Sequence, residues 1–364
     1  MIGNKNSSDV IVIGGGIVGL SVALHFAEKK MKTCLIDKDL LVNSTSAGSV
    51  GALNLQAKQP NSYLSLSLIG SKYYEEFIPK LDEDIEYKED GGITILETEQ
   101  EYNNKMNQLE KQKEIKGYDL FIYEGLEINK LEDNLSNHIK GISYCPQEAA
   151  VNPLLTCWAT EKAAKRLGVK FVLKTEILDI HSKNGTFSVV TKENNYCSPL
   201  LINCAGVGAK DIGKMLEVDI PVQPVRGQIV ATEPIPELLH HYVATINQTK
   251  NGNIIIGTTN EVNVNNNDVE IEDLISMVKR AIRIVPKLKQ VSTIRTWARS
   301  RPIPVDGLPI FGSVSEVPGF YIVVTHSGFV LGPLLAKLIT ELVIDGETSI
   351  PMENYSITRF RKER

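Results

Sequence analysis

The first hydrophobic run of the chain, Val10–Ile13, is short, β-branched and apolar at every position. A run of this kind is typical of a strand that is buried on both faces of a parallel sheet. Apolar residues then recur at helical spacing over residues 20–27, and a second β-branched run covers Thr33–Ile36. The pattern therefore predicts a strand–helix–strand unit near the start of the chain.

Three glycines at the spacing GxGxxG, Gly14, Gly16 and Gly19, lie between the first predicted strand and the helix. The first permits a tight bend, the second lets a pyrophosphate approach the backbone, and the third lets the helix pack closely on the strand. Asp37 ends the second strand, close to the roughly 20-residue spacing of a carboxylate that binds ribose. The pattern predicts a dinucleotide site at the helix N-terminus, and the alternative is a strand–helix–strand unit that binds no ligand.

The character of the chain changes near residue 80, where we expect a second lobe to begin. An acidic stretch comes first, followed by a predicted strand at 91–96 and a charged surface helix at 97–116. Apolar strand patterns that run into glycines return at residues 200–208 and again at 320–328. The order of these patterns predicts one domain built from discontinuous segments, with a mixed lobe between them.

Composition and charge limit the kinds of binding partner that we expect for this protein. The chain has 364 residues, of which 42% are hydrophobic and 23% charged, and its net charge is −5. This weakly acidic balance gives no electrostatic reason to expect nucleic acid or an anionic membrane surface as a partner. The apolar helix pattern at 329–344 carries Lys337 and Glu341, which favours a buried core helix over a membrane span. The length is consistent with two domains.

Cysteine usage indicates a reducing compartment. The five cysteines, Cys34, Cys145, Cys157, Cys197 and Cys204, form no CxxC pair and show no metal-type spacing. An odd number without a disulfide framework is typical of the cytoplasm. The N-terminus also lacks the basic region of a signal peptide. We therefore expect a cytoplasmic protein without a metal site.

Four blocks of sequence together carry a resemblance. They are the glycine turn at 14–19, STSAGSVG at 44–51, NCAG at 203–206 and RPIPVDGLPIFG at 301–312. In this order they resemble the FAD-dependent amino-acid oxidase family. That family includes glycine oxidase, sarcosine oxidase, D-amino-acid dehydrogenase and the flavin subunits of opine, proline and cyanide-forming dehydrogenases. The likeness extends over nearly the whole chain and implies FAD as the cofactor.

The pattern and the resemblance together imply an α/β fold with an α+β second lobe. A Rossmann-type FAD-binding domain would comprise residues 9–80, 146–220 and 300–364. A mixed-sheet substrate domain would comprise residues 81–145 and 221–299. The two ends of a large dinucleotide need separate binding surfaces, and discontinuous segments of this kind can supply them.

The resemblance also implies which residues hold FAD. The glycine turn would bind the pyrophosphate, Asp37 the adenosine ribose, and the start of the last helix the pyrimidine ring of the flavin. Many relatives have glutamate in place of Asp37. The full set of cofactor residues is Gly14, Gly15, Gly16, Ile17, Val18, Gly19, Asp37, Lys38, Thr45, Ser46, Gly48, Ser49, Gly51, Ile177, Cys204, Ala205, Gly206, Arg301, Ser327, Gly328, Phe329 and Val330.

Arg301 is the residue we expect to act on the substrate. The arginine fork matches a carboxylate in bidentate fashion. Strand alternation would place Arg295 and Arg299 on the same face, so the residues alone do not separate the three. The resemblance places Arg301 over the flavin, where it would hold the carboxylate of an amino acid.

Other residues are candidates for the substrate pocket. The resemblance places Thr245 where glycine oxidase has a substrate-binding tyrosine. Asn54, Gln56 and Tyr144 are further pocket candidates. His326 either reaches the active site or simply ends a strand.

The resemblance implies oxidation of the C–N bond of glycine, a D-amino acid or an N-substituted amino acid. Hydride would pass from the α-carbon to the flavin, and the resulting imine would hydrolyse to an oxo acid. The alternatives are a flavoprotein of the same fold acting on a 2-hydroxy acid or a polyol phosphate, and a flavin subunit of a multi-subunit dehydrogenase.

The resemblance bears also on how FAD is held and on what reoxidises it. No cysteine follows Cys204, whereas sarcosine oxidases attach flavin through a cysteine near the segment that Arg301 occupies here. We therefore expect non-covalent FAD. The expected electron acceptor is oxygen, an electron-accepting subunit or a quinone, within a homo- or hetero-oligomer.

Overall fold

A computed structural model describes residues 6–41, 43–262, 264 and 266–361 of the chain. The helices are α1 (Ile17–Glu28), α2 (Asn61–Lys72), α3 (Tyr74–Leu81), α4 (Glu99–Gln112), α5 (Leu126–Leu131), α6 (Pro153–Arg166), α7 (Ala209–Lys214), α8 (Ile271–Ile284) and α9 (Gly328–Asp345). Turns of 3₁₀ helix cover Thr45–Gly48, Gly206–Gly208, Pro286–Gln290, Glu353–Tyr355 and Ile357–Phe360.

The strands are β1 (Val10–Ile13), β2 (Thr33–Ile36), β3 (Ala52–Leu53), β4 (Gly92–Leu96), β5 (Phe121–Glu124), β6 (Gly141–Cys145), β7 (Ala149–Ala150), β8 (Lys170–Val172), β9 (Ile177–Lys183), β10 (Thr186–Thr191), β11 (Asn195–Ser198), β12 (Leu200–Asn203), β13 (Val222–Pro234), β14 (Tyr242–Val243), β15 (Ile246–Gln248), β16 (Asn253–Gly257), β17 (Glu261–Val262), β18 (Thr293–Pro304), β19 (Ile310–Ser313) and β20 (Phe320–Val324). A hairpin joins β9 to β10 at Gly185, which has a positive φ of +71°.

A largely parallel sheet has the strand order β19-β20-β12-β1-β2-β8. Val10 of β1 pairs with Leu200 of β12 on one side and Thr33 of β2 on the other. β1 is buried along its whole length, as its continuous apolar run predicts. Strands from distant parts of the chain thus form one sheet, and the predicted α/β fold of Rossmann type, built from discontinuous segments, is confirmed.

Helices α1 and α9 pack side by side against this sheet, and their N-termini lie close together. A side chain at Gly328 would begin 3.3 Å from Cγ2 of Ile17, and one at Gly332 would begin 3.4 Å from Cγ2 of Val18. Glycines at these two positions therefore let the helices approach closely. The first two thirds of α9 are buried in the main hydrophobic core, as expected for a core helix.

A mixed sheet forms the second lobe, in the order β17-β13-β16-β15-β14-β4-β6-β5, with β18 also paired to β13. β14 and β4 are parallel, and the other pairs are antiparallel. The long antiparallel pair β13–β18 brings Val225 opposite Arg301. β18 is continuous across residue 300, where the sequence-based division places a domain boundary, and that division stays a prediction.

The helix predicted at 97–116 is shorter, and it is not confined to the surface. α4 begins after a capping box formed by Thr98 and Glu101, and it ends at Gln112. Lys105 and Gln112 are buried, and Nε2 of Gln108 donates to the carbonyl oxygen of Gln56 at 2.7 Å. The predicted surface helix is therefore present, and its buried polar face covers the loop after β3. Among the described helices, none combines the length and the apolar character that a bilayer crossing requires.

Candidate active site

The turn between β1 and α1 is so tightly packed that it requires glycine. Gly14 has a φ of +108°, and a Cβ there would lie 2.5 Å from the carbonyl oxygen of Cys204. A Cβ on Gly19 would lie 1.9 Å from the carbonyl oxygen of Gly14. The backbone N–H of Ile17 donates to Oγ of Ser46 at 3.0 Å. The structure therefore brings together residues that the resemblance assigns to the cofactor from three distant segments.

Asp37 sits directly beneath this turn. Its Oδ2 accepts a hydrogen bond from the N–H of Gly15 at 2.5 Å. Burial raises the pKa of the Asp37 carboxyl, while hydrogen bonds from backbone N–H groups oppose the rise. The backbone of Asp37 also accepts from the N–H of Thr175 at 3.0 Å, which brings the segment leading to Ile177 beside it. Lys38 is exposed next to this position.

The loop predicted to border the cofactor connects the glycine turn with β18. Its 3₁₀ turn starts at Thr45, whose hydroxyl donates to the carbonyl oxygen of Ser300 at 2.6 Å. A Cβ on Gly48 would lie 2.4 Å from Cγ of Arg299, so the arginine stem packs directly on this glycine. The loop therefore lies between the dinucleotide-type turn and the strand that carries the predicted substrate arginine.

Two further turns border the same region. Gly51 has a φ of +79°, and its N–H donates to Oγ of Ser49 at 3.1 Å. Gly206 has a φ of +57° and follows Ala205, whose N–H donates to Oδ1 of Asn203 at 3.2 Å. In both places a positive φ, which glycine adopts at little expense, turns the backbone sharply.

The arrangement fits a large anionic dinucleotide such as FAD. The N-cap residues of α1 and α9 make no side-chain cap, so the positive dipole ends of both helices, and the first-turn N–H groups other than that of Ile17, are suited to an anion. Within the described part of the chain, Nε of Arg299 and Nε1 of Trp297 are buried without a hydrogen-bond partner. Buried polar groups ordinarily have partners, so these two donors point to a polar ligand near Gly48.

Arg301 is half-buried and is held by neutral oxygen atoms. Nη2 donates to the carbonyl oxygen of Thr259 and to Oδ1 of Asn260, each at 2.7 Å, and Nε donates to the carbonyl oxygen of Val225 at 3.3 Å. Nη1 finds no partner in residues 6–41, 43–262, 264 and 266–361. Burial lowers the pKa of the guanidinium, and the charge of Glu261 opposes this. The site thus holds a positioned cation with free hydrogen-bonding capacity.

The three arginines of β18 lie along one continuous strand, at the alternate positions that the sequence singled out, but they meet different neighbours. The Arg295 guanidinium lies 5.7 Å from the centre of the Trp297 ring. Arg299 packs on Gly48, and Arg301 reaches Thr259. Only the tertiary structure separates these three side chains.

A buried lysine that the sequence did not reveal lies at the start of α9. Nζ of Lys58 donates to Oγ of Ser327 at 2.7 Å, and the hydroxyl of Tyr63 lies 2.9 Å from the same Oγ. Lys58 is only 8% exposed, and burial lowers its pKa to about 8, against the opposing effect of Glu148. Nothing in the local pattern around Lys58 distinguishes it from a surface lysine.

His326 lies beside these groups. Its ring is accessible to solvent, yet protein surrounds it on most sides. Desolvation, together with the positive charges of Lys58 and Arg301, lowers its pKa to about 3. The ring is therefore neutral near pH 7. The loop after β3, the end of β20 and β18 thus bring the side chains of Lys58, His326 and Arg301 near enough for the charges of Lys58 and Arg301 to act on His326.

The remaining pocket candidates have partners within the protein. Nδ2 of Asn54 donates to Oε1 of the buried Glu148 at 2.9 Å. Gln56 is buried, and it contacts both Glu148 and Ser143 rather than facing an open pocket. Tyr144 donates from its hydroxyl to the carbonyl oxygen of Asp90 at 3.2 Å. Their roles as pocket residues stay predictions.

Thr245 lies in the turn between β14 and β15. Its carbonyl oxygen accepts a hydrogen bond from the N–H of Gly257 at 3.0 Å. The side chain is half-buried. Its assignment to substrate also stays a prediction.

A Rossmann-type sheet with two uncapped helix N-termini at one edge defines a dinucleotide-binding protein. The family described as FAD dependent oxidoreductase matches residues 9–342. The chain belongs to this family, and its cofactor is FAD.

Individual relatives match over nearly their whole length. Glycine oxidase from Bacillus licheniformis is 24% identical over 371 residues, which cover 98% of this chain and 97% of the relative. An opine oxidase subunit from Agrobacterium tumefaciens (strain Ach5) is 25% identical over 98% of both chains. The crystal structure of glycine oxidase from Geobacillus kaustophilus has the same fold, with a TM-score of 0.94 at 23% identity over 98% of this chain and 100% of that one.

Proposed function

We propose that this protein oxidises the C–N bond of an amino acid, which is glycine, a D-amino acid or an N-substituted amino acid. The observation that carries the proposal is Arg301, a half-buried guanidinium held by neutral oxygens, whose Nη1 has no hydrogen-bond partner among the described residues. A substrate carboxylate supplies the charge and the acceptors that this guanidinium needs. The likeness to glycine oxidase and to the opine oxidase subunit supports the same substrate class.

In this proposal Arg301 grips the carboxylate and sets the orientation of the α-carbon. Thr259 and Asn260 hold the guanidinium in place, so little rotational freedom is lost when substrate binds. When bound, FAD supplies the acceptor for the hydride that leaves the α-carbon. The nitrogen, as the free amine, donates its lone pair to form a C=N bond as the α-carbon loses its hydrogen with both bonding electrons. Water then hydrolyses the resulting iminium cation to an oxo acid and ammonium or an amine.

The remaining residues would bind the cofactor and exclude water. The turn at residues 14–19 and the N-terminus of α1 would face the pyrophosphate, and Asp37 the ribose. The loop from Thr45 to Gly51 would border the flavin. Ser327 and Gly328 would present the N-terminus of α9, whose positive end favours negative charge on a neighbouring group.

The electron acceptor would be oxygen, a quinone or an electron-accepting subunit. The similarity to a protein named as a subunit of opine oxidase supports assembly with a partner chain. We propose the cytoplasm as the compartment, on the basis of the unpaired cysteines. We also propose that residues 81–145 and 221–299 form the substrate domain.

Acid precipitation tests whether FAD is bound without a covalent link. The purified protein should release FAD on acid precipitation, because no cysteine follows Cys204. Flavin that stayed with the precipitate would contradict non-covalent binding.

Anaerobic bleaching of the flavin tests the substrate class. A panel of glycine, D- and L-amino acids and N-alkyl amino acids should contain a compound that bleaches the flavin. Bleaching only by 2-hydroxy acids or by glycerol phosphate would overturn the proposal in favour of an alcohol-oxidising flavoprotein of the same fold.

A further inference from the structure

Lys58 is a buried cation without a counter-ion in the described chain. Its Nζ donates to the neutral hydroxyl of Ser327, and no described carboxylate lies within ion-pairing distance. The centre of the Tyr63 ring lies 5.5 Å from Nζ, so the ammonium also makes a cation–π contact with this ring. A buried ammonium is ordinarily paired, because burial without a partner strongly disfavours the charged form.

The loop that carries Lys58 is anchored from two sides. Glu148 accepts hydrogen bonds from the backbone N–H groups of Leu55 and Gln56, each at 2.7 Å. From the other lobe, α4 donates through Nε2 of Gln108 to the carbonyl oxygen of Gln56 at 2.7 Å. The buried carboxylate of Glu148 therefore binds backbone N–H groups of the loop and does not pair with the ammonium of Lys58. The loop is thus held in place, and among the described residues no carboxylate forms an ion pair with Lys58, although the charge of Glu148 acts on it from a distance.

The ammonium of Lys58 is also held at a defined position, at the N-terminus of α9. Ser327 is the residue that precedes α9, and its hydroxyl contacts both Lys58 and Tyr63 while capping no backbone N–H. The positive end of the α9 dipole and the ammonium therefore act on the same space. The same space adjoins His326, whose pKa is lowered by the charges of both Lys58 and Arg301. An anion that entered there would meet a second cation besides Arg301.

We propose that Lys58 stabilises the negative charge of reduced FAD and so raises its reduction potential. The proposal rests on the FAD site and on the placement of the flavin beside α9 described above. A hydride adds one proton and two electrons to oxidised flavin at N5, and the product carries one negative charge spread over N1 and the C2 oxygen. An ammonium held at the N-terminus of α9 favours that charged product over the neutral oxidised form.

The competing role for Lys58 is a second contact to the substrate carboxylate. The two roles differ in what they require, because a contact to substrate changes no property of the substrate-free flavin. The midpoint potential of bound FAD, measured by chemical reduction without substrate, therefore separates them. The affinity of the oxidised flavin for inorganic sulfite is a second measure, since the N5 adduct of sulfite also places negative charge on N1 and the C2 oxygen.

Neutral variants of Lys58 provide the test. In Lys58→Met and Lys58→Gln, the equilibrium ratio of reduced to oxidised FAD should be roughly 10- to 100-fold lower than in the parent protein at the same applied potential. At about 30 mV per tenfold for a two-electron couple, this is a fall of about 30 to 60 mV in midpoint potential. The dissociation constant for sulfite should rise by a similar factor, and Lys58→Arg should restore both values to within about threefold of the parent.

Lys105 offers a matched control. It is another buried lysine near Glu148, but it belongs to α4 and makes no contact with Ser327. Lys105→Met removes the same charge from a similar environment and should leave the midpoint potential and the sulfite affinity unchanged. Equal shifts at 58 and 105 would overturn the proposal, because they would indicate a general effect of removing a buried charge.

Other results would also overturn it. An unchanged potential in Lys58→Met, with a raised KM for substrate, would assign Lys58 to the carboxylate. Failure of both neutral variants to fold would assign it a structural role. Neither result touches the proposed amino-acid oxidation, which depends on bleaching of the parent protein by the substrate panel. Conversely, a parent protein that bleached only with hydroxy acids would leave the effect on potential intact.

Discussion

The hydroxyl of Thr45 donates to the carbonyl oxygen of Ser300 at 2.6 Å, across 255 residues of chain. This hydrogen bond ties the loop beside the glycine turn to the strand that carries Arg301. A carboxylate clamp works only if it is placed correctly relative to the flavin. The contact therefore connects the position of the expected substrate group to the position of the cofactor loop.

Thr45→Val should weaken FAD binding about 2- to 12-fold, because it removes a hydrogen bond worth roughly 0.5–1.5 kcal/mol while keeping the shape of the side chain. Fluorescence titration of the apoprotein with FAD measures the change. Thr45→Ser retains the hydroxyl and serves as the control. Identical affinities in the valine and serine variants would show that this contact does not order the loop for the cofactor.

Asp37→Ala should weaken FAD binding by roughly 10- to 150-fold, since a charge-assisted hydrogen bond to the ribose is worth about 1.5–3 kcal/mol. Asp37→Glu should bind FAD nearly as well as the parent, because it keeps the carboxylate that would accept from the ribose. The same titration of apoprotein compares the two variants. Unchanged affinity in the alanine variant would contradict the ribose role, and Asp37 would then serve mainly to accept from the N–H of Gly15.

Arg301→Ala should reduce the efficiency of flavin reduction by substrate roughly 30- to 4,000-fold, because breaking a buried, hydrogen-bonded charge pair costs about 2–5 kcal/mol. Arg301→Lys keeps the charge but loses the fork, so it should fall between the alanine variant and the parent. Stopped-flow reduction under anaerobic conditions, with the best compound of the panel, measures both. FAD should stay bound in each variant.

Arg299→Ala is the comparison for Arg301, because Arg299 lies on the same strand but packs on Gly48 instead of reaching Thr259. Its effect on flavin reduction should be smaller. A fully active Arg301→Ala variant, or a larger loss at Arg299, would show that the carboxylate is held elsewhere.

His25 should make stability depend on pH. Its Nδ1 lies 2.8 Å from the carbonyl oxygen of Ser21 and its Nε2 lies 2.8 Å from the hydroxyl of Tyr73, and burial lowers its pKa to about 4. Between pH 6.5 and pH 4 the unfolded chain takes up a proton that the folded chain does not. The free energy of unfolding should therefore fall on acidification through this window, by on the order of 3 kcal/mol from this group.

His25→Gln removes the titrating ring and tests this dependence. The difference in unfolding free energy between the parent and the variant should shrink as the pH falls from 6.5 towards 4. Urea unfolding at a series of pH values measures it. Parallel curves for the two proteins would contradict the assignment of this pH dependence to His25.

The sequence by itself determined the features whose cause is local. The apolar run at Val10–Ile13 predicts a strand buried on both faces, and the structure has that strand. Gly19 is required by a backbone contact with Gly14 in the same turn, so the spacing of these glycines was informative by itself. Strand alternation likewise placed Arg299 and Arg301 at equivalent positions of one strand, where β18 has them.

Tertiary structure decided what each polar side chain meets. Lys58 looks like a surface lysine in the sequence, yet segments far along the chain bury it and place Ser327 at its ammonium. The sequence offered Gln56 as a pocket candidate, and only the structure shows that Glu148, 92 residues away, binds it in a buried network. Periodicity reports which side of an element is apolar. Burial and hydrogen bonding of a polar group depend on which distant segments pack against it, and no local pattern contains that information.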